Sequence, residues 1–354
     1  MLARKTAISP SCFPSSAPHL RAVPRLARVR SMPVSYQDAA STQPQDVLIR
    51  SLSGLGEVAV LVVNGTHLVT DAASRHKTAP TATAALGRAL LGTLLMGSFR
   101  KEDEAIQVTF RGNGPLGNVM CIADTKGQVK GKVDNPSADP PLYPDGKLAV
   151  GDAVGTGVLA IVRSHPLEPT PYTGIVPIVS GEIADDLANY LVDSEQTNTA
   201  LGLGVSLNRE AQVKSAGGFL ISILPFCSEE TLERLEQNLS TMPTVSTMLN
   251  QGMSAQDISD RILEGLGTAP GSTSVVPRYG PCEEESLKER MMRAVAMLGE
   301  EEVADIQAQI GKIEVTCEFC QTQMQFSEES IMQKIREMRG APDEVSPEDV
   351  KRMA

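Results

Sequence analysis

The chain has 354 residues and a formal net charge of −11, from 32 basic and 43 acidic side chains, but that charge is split by position. Residues 1–31 hold six basic and no acidic residues, whereas 228–354 hold 12 basic and 24 acidic ones, so a uniformly acidic globule is excluded. At 41% hydrophobic the chain can bury a sizeable core and exceeds one typical domain, while 3% aromatics, no Trp and an acidic body argue against a nucleic-acid partner.

Residues 1–35 contain Arg4, Lys5, Arg21, Arg25, Arg28 and Arg30, are rich in Ser and precede the first acid, Asp38. This is the composition of an organelle transit peptide. Pro10, Pro14, Pro18 and Pro24 would break the amphipathic helix of a mitochondrial presequence, so the chloroplast is the expected destination and the mitochondrion the alternative. Val29 to Met32 is the candidate processing zone, and Cys12 and His19 fall inside the segment expected to be removed. The longest apolar stretch, Ala82 to Phe99, is interrupted by Arg88, so a soluble protein with no membrane partner is expected.

From about Val47 the pattern becomes globular, and residues 46–227 read as an α+β domain. Val58 to Val63, Asn64-Gly65 and Thr66 to Val69 predict a β-hairpin on a short turn signal. Pro80 opens a core helix with Ala82, Leu86, Ala89, Leu90 and Leu94 at helical spacing. Strands are predicted over Ile106–Arg111, Val119–Ala123, Gln128–Val133 and Phe219–Leu224, with a helix capped by Ser180 that carries Ile183, Leu187, Tyr190 and Leu191.

Composition shifts at Cys227. Ser228 and Ser254 cap two helices with thin apolar stripes, one of Leu232, Leu235, Leu239 and Met242, the other of Ile258, Ile262 and Leu266. Such helices depend on a neighbour for stability, so 228–277 reads as a docked linker separable from the core. Residues 278–335 form a small C-terminal module and 336–354 a tail.

Gly112 to Gly117 matches GxGxxG, but Pro115 and the strand-like residues after it offer no helix N-terminus to a pyrophosphate, and a tight inter-strand turn is the better reading. No P-loop, HExxH or GxSxG sequence occurs, which leaves ATP use and two hydrolase classes unsupported. Cys282 is followed after 34 residues by Cys317-Glu-Phe-Cys320, a CxxC knuckle between predicted strands around Ile313–Val315 and Met324–Phe326. Two thiolates at that spacing suit zinc, with water, Glu283, Glu284 or Cys227 as a further ligand beside Cys282. The same pair suits a dithiol redox couple, and three buried structural thiols or a three-Cys zinc hydrolase are further readings. Glu314 and Glu318 flank the CxxC, and anionic neighbours are expected to raise its thiol pKa values, against an oxidoreductase.

Seven segments, in order over roughly 46–335, resemble the 33-kilodalton redox-regulated heat-shock chaperones: Arg75–Arg88, Arg111–Gly117, Val133–Pro136, Tyr172–Ala184, Ser194–Thr197, Ala216–Phe219 and Val315–Cys320. The resemblance implies an α+β substrate-binding domain, a metastable helical linker and a zinc-binding redox switch. It further implies no enzyme but an ATP-independent holdase for unfolded clients, dimeric when active and switched when paired cysteines oxidise and zinc leaves. In the family the four ligands stand as CxC and CxxC; here Gly280 occupies the place of the first. The carry-over is limited to Cys282, Cys317 and Cys320 as zinc ligands and to Cys317 with Cys320 as the intact disulfide pair. Weak zinc binding and a switch driven more by heat than by oxidation are therefore expected, with a thiol-disulfide oxidoreductase as the alternative function.

Overall fold

The computed structural model describes residues 45–100, 103–282 and 284–340. The expected transit peptide with Cys12 and His19, Glu283 and residues 341–354 of the tail lie outside them. Strands β1 (Val47–Leu52) and β2 (Val58–Asn64) precede helices α1 (Thr66–His76) and α2 (Pro80–Ser98). A meander of β3 (Ala105–Gly112), β4 (Asn118–Asp124) and β5 (Gln128–Val133) leads through α3 (Val150–Val154) to β6 (Gly157–Ser164) and β7 (Tyr172–Pro177). Helix α4 (Ala184–Asp193) is followed by the long pair β8 (Thr199–Leu207) and β9 (Val213–Ile223). Then come α5 (Glu229–Ser240), α6 (Val245–Asn250), α7 (Ala255–Ile262), β10 (Thr273–Val275) and β11 (Arg278–Tyr279). The chain closes with α8 (Glu284–Ala296), α9 (Glu300–Ile310), the hairpin β12 (Ile313–Thr316) and β13 (Gln323–Phe326), and α10 (Glu328–Gly340). The architecture is α+β.

Two sheets sandwich α2. One has the order β10-β1-β2-β9-β8, all antiparallel; the other runs β11-β5-β4-β3-β6-β7, antiparallel except that β11 joins β5 in parallel. Apart from Arg88, α2 is buried from Thr81 to Gly97, as its all-round apolar sequence demands. It meets β3, β4 and β5 on one side and β2, β8 and β9 on the other, and this contact forms the main core. No helix among the described residues is long and apolar enough to cross a membrane.

The outer face of the first sheet carries Ile49, Val58, Val60, Val62, Phe219 and Ile221, and α5, α6 and α7 cover it with Leu235, Val245, Met248, Ile258 and Ile262. Both predicted caps are present. Ser228 Oγ accepts from Thr231 N, and Ser254 forms a reciprocal capping box with Asp257. Segment 228–277 also contributes backbone pairing, because β10 extends the first sheet at β1.

Two expectations are corrected. Asn64-Gly65 does not turn a hairpin: Thr66 to Val69 begin α1, with Leu68, Val69, Ala72 and His76 buried on one face. Asp46, at the mouth of β1, accepts from His67 N at 2.9 Å and Leu68 N at 2.7 Å and so satisfies free amides of the helix start from 21 residues away. Likewise, Ser180 is not the cap of α4. Asp186 in its first turn accepts from Val179 N and Ser180 N, folding the approach back on the helix.

The GxGxxG segment is indeed a turn, between β3 and β4. A Cβ on Gly112 would stand 1.9 Å from the carbonyl oxygen of Val154, and one on Gly114 2.3 Å from that of Ala153. These glycines serve a close backbone approach to α3 rather than a phosphate.

Candidate metal and redox centre

The β12–β13 hairpin presents Cys317 and Cys320 in a tight turn closed by Cys317 N to Thr322 O at 3.0 Å and Gln321 N to Cys317 O at 2.8 Å. Cys282 reaches the same place from the segment between β11 and α8. The ligand atoms of Cys282, Cys317 and Cys320 all lie within 4.8 Å of one another. Zinc–sulfur bonds of about 2.3 Å in a tetrahedron put sulfurs about 3.8 Å apart, so three corners of such a site fit this cluster. Among the described residues no His or carboxylate completes the group. Cys227 packs instead against the linker helices, and Glu284 is exposed at the start of α8.

Gly280 lies two residues before Cys282 at φ 155°, where L side chains are rarely found, and a Cβ there would stand 3.3 Å from Cys282 N. Its own amide donates to Val129 O at 2.9 Å, extending the β11–β5 pairing.

The knuckle is seated on the α+β core. The Tyr279 hydroxyl lies 2.5 Å from Phe319 O and 2.8 Å from Gly131 O, with one proton to donate to either, and His76 Nε2 lies 3.1 Å from it. Arg75 stacks over the Tyr279 ring at 5.1 Å and points Nη1 at Cys320 O, 3.5 Å away. Lys132 pairs with Glu318 at 2.5 Å, and both Lys130 and Lys132 approach the face of Phe319. Sequence reasoning missed Arg75, His76, Tyr279, Lys130 and Lys132. The signal that existed was the run Arg75–Arg88 among the resembling segments, which gives no reason to place its first residues against the cysteines.

A family model described as Hsp33 protein matches residues 46–327, from the mouth of β1 to the end of the CxxC hairpin. The chain belongs to the Hsp33 family. Among similar proteins, the 33 kDa chaperonin of Clostridioides difficile is 39% identical over 296 residues, 83% of this chain and 100% of that one. That of Bacillus subtilis is 36% identical over 289 residues, 81% and 97% of the two chains. The crystal structure of the Thermotoga maritima 33 kDa chaperonin, a heat shock protein 33 homologue, superposes with a TM-score of 0.76 at 32% identity, covering 84% of this chain and all of the other. Membership of this chaperone family makes the chain a chaperone rather than an enzyme.

Within the Hsp33 frame the thiols are not equivalent. Cys320 is buried, whereas Cys282 and Cys317 are half-buried. Burial, then the neighbouring Cys320, pushes the Cys282 thiol up to about 11. Burial also works to raise Cys320, but hydrogen bonds from Thr322 and contacts with the other two thiols outweigh it and hold the group below its ordinary value. The expectation that Glu314 and Glu318 raise the pair is therefore corrected for Cys320. Glu314 is held by Lys312 and Gln325, and Glu318 by Lys132, so neither carboxylate faces the sulfur uncompensated.

Proposed function

We propose that the chain is an ATP-independent holdase that binds unfolding proteins under heat or oxidative stress and is switched by loosening of its C-terminal cysteine module. The observation that carries this reading is the cover of α5–α7 over an apolar sheet face, continuous in sequence with a module held by Tyr279 and the three-thiol cluster. Release of 228–277 from that face would expose Val58, Val60, Val62, Phe219 and Ile221, a surface suited to unfolded chains and to a second protomer. The active form is accordingly a homodimer without nucleic acid, membrane or nucleotide.

Zinc bound at Cys282, Cys317 and Cys320 would cross-link β11 to the β12–β13 hairpin and add to the module's stability. Gly280 stands where a fourth thiolate would be, and a missing ligand weakens the site more than the about 10–100-fold typical of losing an outer-shell partner. On oxidation Cys317 and Cys320 form the disulfide. Because structural zinc contributes on the order of 10 kcal/mol to a small module, a weak site leaves the module near unfolding, and heat does more of the switching. The basic 1–35 segment directs import to the chloroplast.

Aggregation of a thermally unfolding client tests the reading, with the chaperone pretreated with peroxide or with dithiothreitol. Suppression by both forms on warming is expected; suppression only after peroxide would show a switch that depends on oxidation. Zinc binding by the reduced chain beside Gly280→Cys tests the site itself. A tighter single zinc in the variant is expected, reduced in part by the φ at this position, and equal affinities would mean that the fourth ligand comes from elsewhere.

A further inference from the structure

We infer that Cys282 is a modification site, which takes up a small anionic thiol as a mixed disulfide when the module is oxidised. The inference rests on the proposed function, in which Cys317 and Cys320 form the intrachain disulfide, and it concerns what that reaction leaves behind. Three thiols share one cluster within 4.8 Å. Buried Cys320 contacts both others, while Cys282 and Cys317 are only half-buried. A dissolved hydroperoxide therefore meets the outer sulfurs first, and Cys320 is placed to resolve the sulfenic acid formed there.

Cys317 gives two electrons to a hydroperoxide, becoming a sulfenic acid while the O–O bond breaks and water or an alcohol leaves. The Cys320 sulfur attacks that sulfenic sulfur, the S–S bond forms, and the sulfenic oxygen leaves as water with the thiol proton. Among the described residues Cys282 then has no partner, since position 280 is Gly, Cys121 is buried in the main core and Cys227 packs against α5–α7. A second hydroperoxide converts Cys282 to its sulfenic acid in the same way, and a small thiol attacks it, forming the mixed disulfide and releasing a second water.

Charge selects the thiol. Lys130 lies beside Cys282, with Nζ 3.4 Å from Pro281 O, and it forms no ion pair among the described residues. Lys132 and Arg75 stand on the same flank, each already paired, with Glu318 and Asp71 respectively. An ammonium that donates to Pro281 O and lies over the Phe319 ring but has no carboxylate partner among the described residues, next to a half-buried sulfur, favours a compact thiol bearing carboxylates over a cationic one, and over a bulky protein thiol. The adduct removes one sulfur of three from metal binding until it is reduced.

The test treats the reduced full chain with hydrogen peroxide, alone or with glutathione or cysteamine, and reads intact mass and the mapped cysteine peptides. One intrachain Cys317–Cys320 disulfide and one glutathione on Cys282 are expected. Cys282→Ser should keep the disulfide and lose that adduct, and Lys130→Glu should slow glutathione uptake severalfold while leaving cysteamine uptake unchanged or faster. A Cys317–Cys320 disulfide with Cys282 unmodified, or with the adduct on Cys227, would overturn the inference while leaving the redox pair intact. Absence of the Cys317–Cys320 bond even in Cys282→Ser would instead overturn the pairing on which it rests. No client is present, so neither result depends on holdase activity.

Discussion

At Tyr279 one hydroxyl joins three segments: its own strand β11, Gly131 of β5 and the carbonyl of Phe319 inside the CxxC turn. Removing it in Tyr279→Phe takes away the one proton that the Phe319 and Gly131 carbonyls compete for and leaves a part-buried carbonyl short of a donor, at about 1–3 kcal/mol. Hydrogen exchange should then quicken at 317–322 and 129–131 with little change in α2, and the proposed holdase activity should begin at a lower temperature. His76, beside the same hydroxyl and near Gln321, has its pKa lowered chiefly by burial. A His whose folded pKa is depressed contributes stability that is present above its unfolded value, about 6.5, and lost as pH falls below it. Knuckle docking should accordingly weaken on acidification below about 6.5, and His76→Gln should flatten that slope in exchange measurements at 317–322. Residue-scale geometry also decides Gly112. Ala there drives a methyl into the Val154 carbonyl, 1.9 Å from the ideal Cβ position, so Gly112→Ala should lower the unfolding temperature of the core domain markedly, read by calorimetry.

Among the elements, α5–α7 are held by one apolar face and by local caps. Ile258 is fully buried against the first sheet, and its truncation to Ala should cost about 2–5 kcal/mol. Ser254→Ala removes the capping box for about 0.5–2 kcal/mol. Both variants should free the linker while the sandwich around α2 stays folded, giving client suppression at temperatures where the parent chain is inactive. Glu57 adds a tie from the β1–β2 connection: its carboxylate accepts from Ser228 N and Oγ at 3.2 Å and from the Thr231 hydroxyl, which is the main cause of its lowered pKa. Much at this scale is legible in the sequence. Pro80, Ser228 and Ser254 mark helix starts through groups within three residues of each other, and the β12–β13 hairpin follows from the apolar residues flanking CxxC. The α1 start is not legible, because its amide acceptor, Asp46, comes from a different strand, and a short turn signal carries no record of such a partner. Helix α6, with six residues, and the three-residue β10 are too short for periodicity to register.

Across the whole molecule the acidic excess sits on the part proposed to come apart, with 24 acidic against 12 basic residues over 228–354. Self-repulsion of exposed charges is screened over about 8 Å at physiological ionic strength, so added salt should raise the temperature at which the C-terminal third opens, monitored by protease sensitivity at 228–277, more than it raises that of the core. The opposing positive charge is supplied by the core itself, through Arg75, Lys130 and Lys132. By itself the sequence determined the α+β class, the Ser228 and Ser254 helix caps, the CxxC hairpin and the segments that mark the family, because each is written in residues adjacent or one turn apart. Only the tertiary structure decided that Cys282 meets Cys317 and Cys320, that Asp46 turns an expected hairpin into a helix, that Gly112 and Gly114 admit a carbonyl rather than a phosphate, and that Tyr279 and His76 seat the knuckle on the core. Those are contacts between segments far apart in the chain, fixed by how the two sheets close around α2 and not by any local preference of the residues that make them.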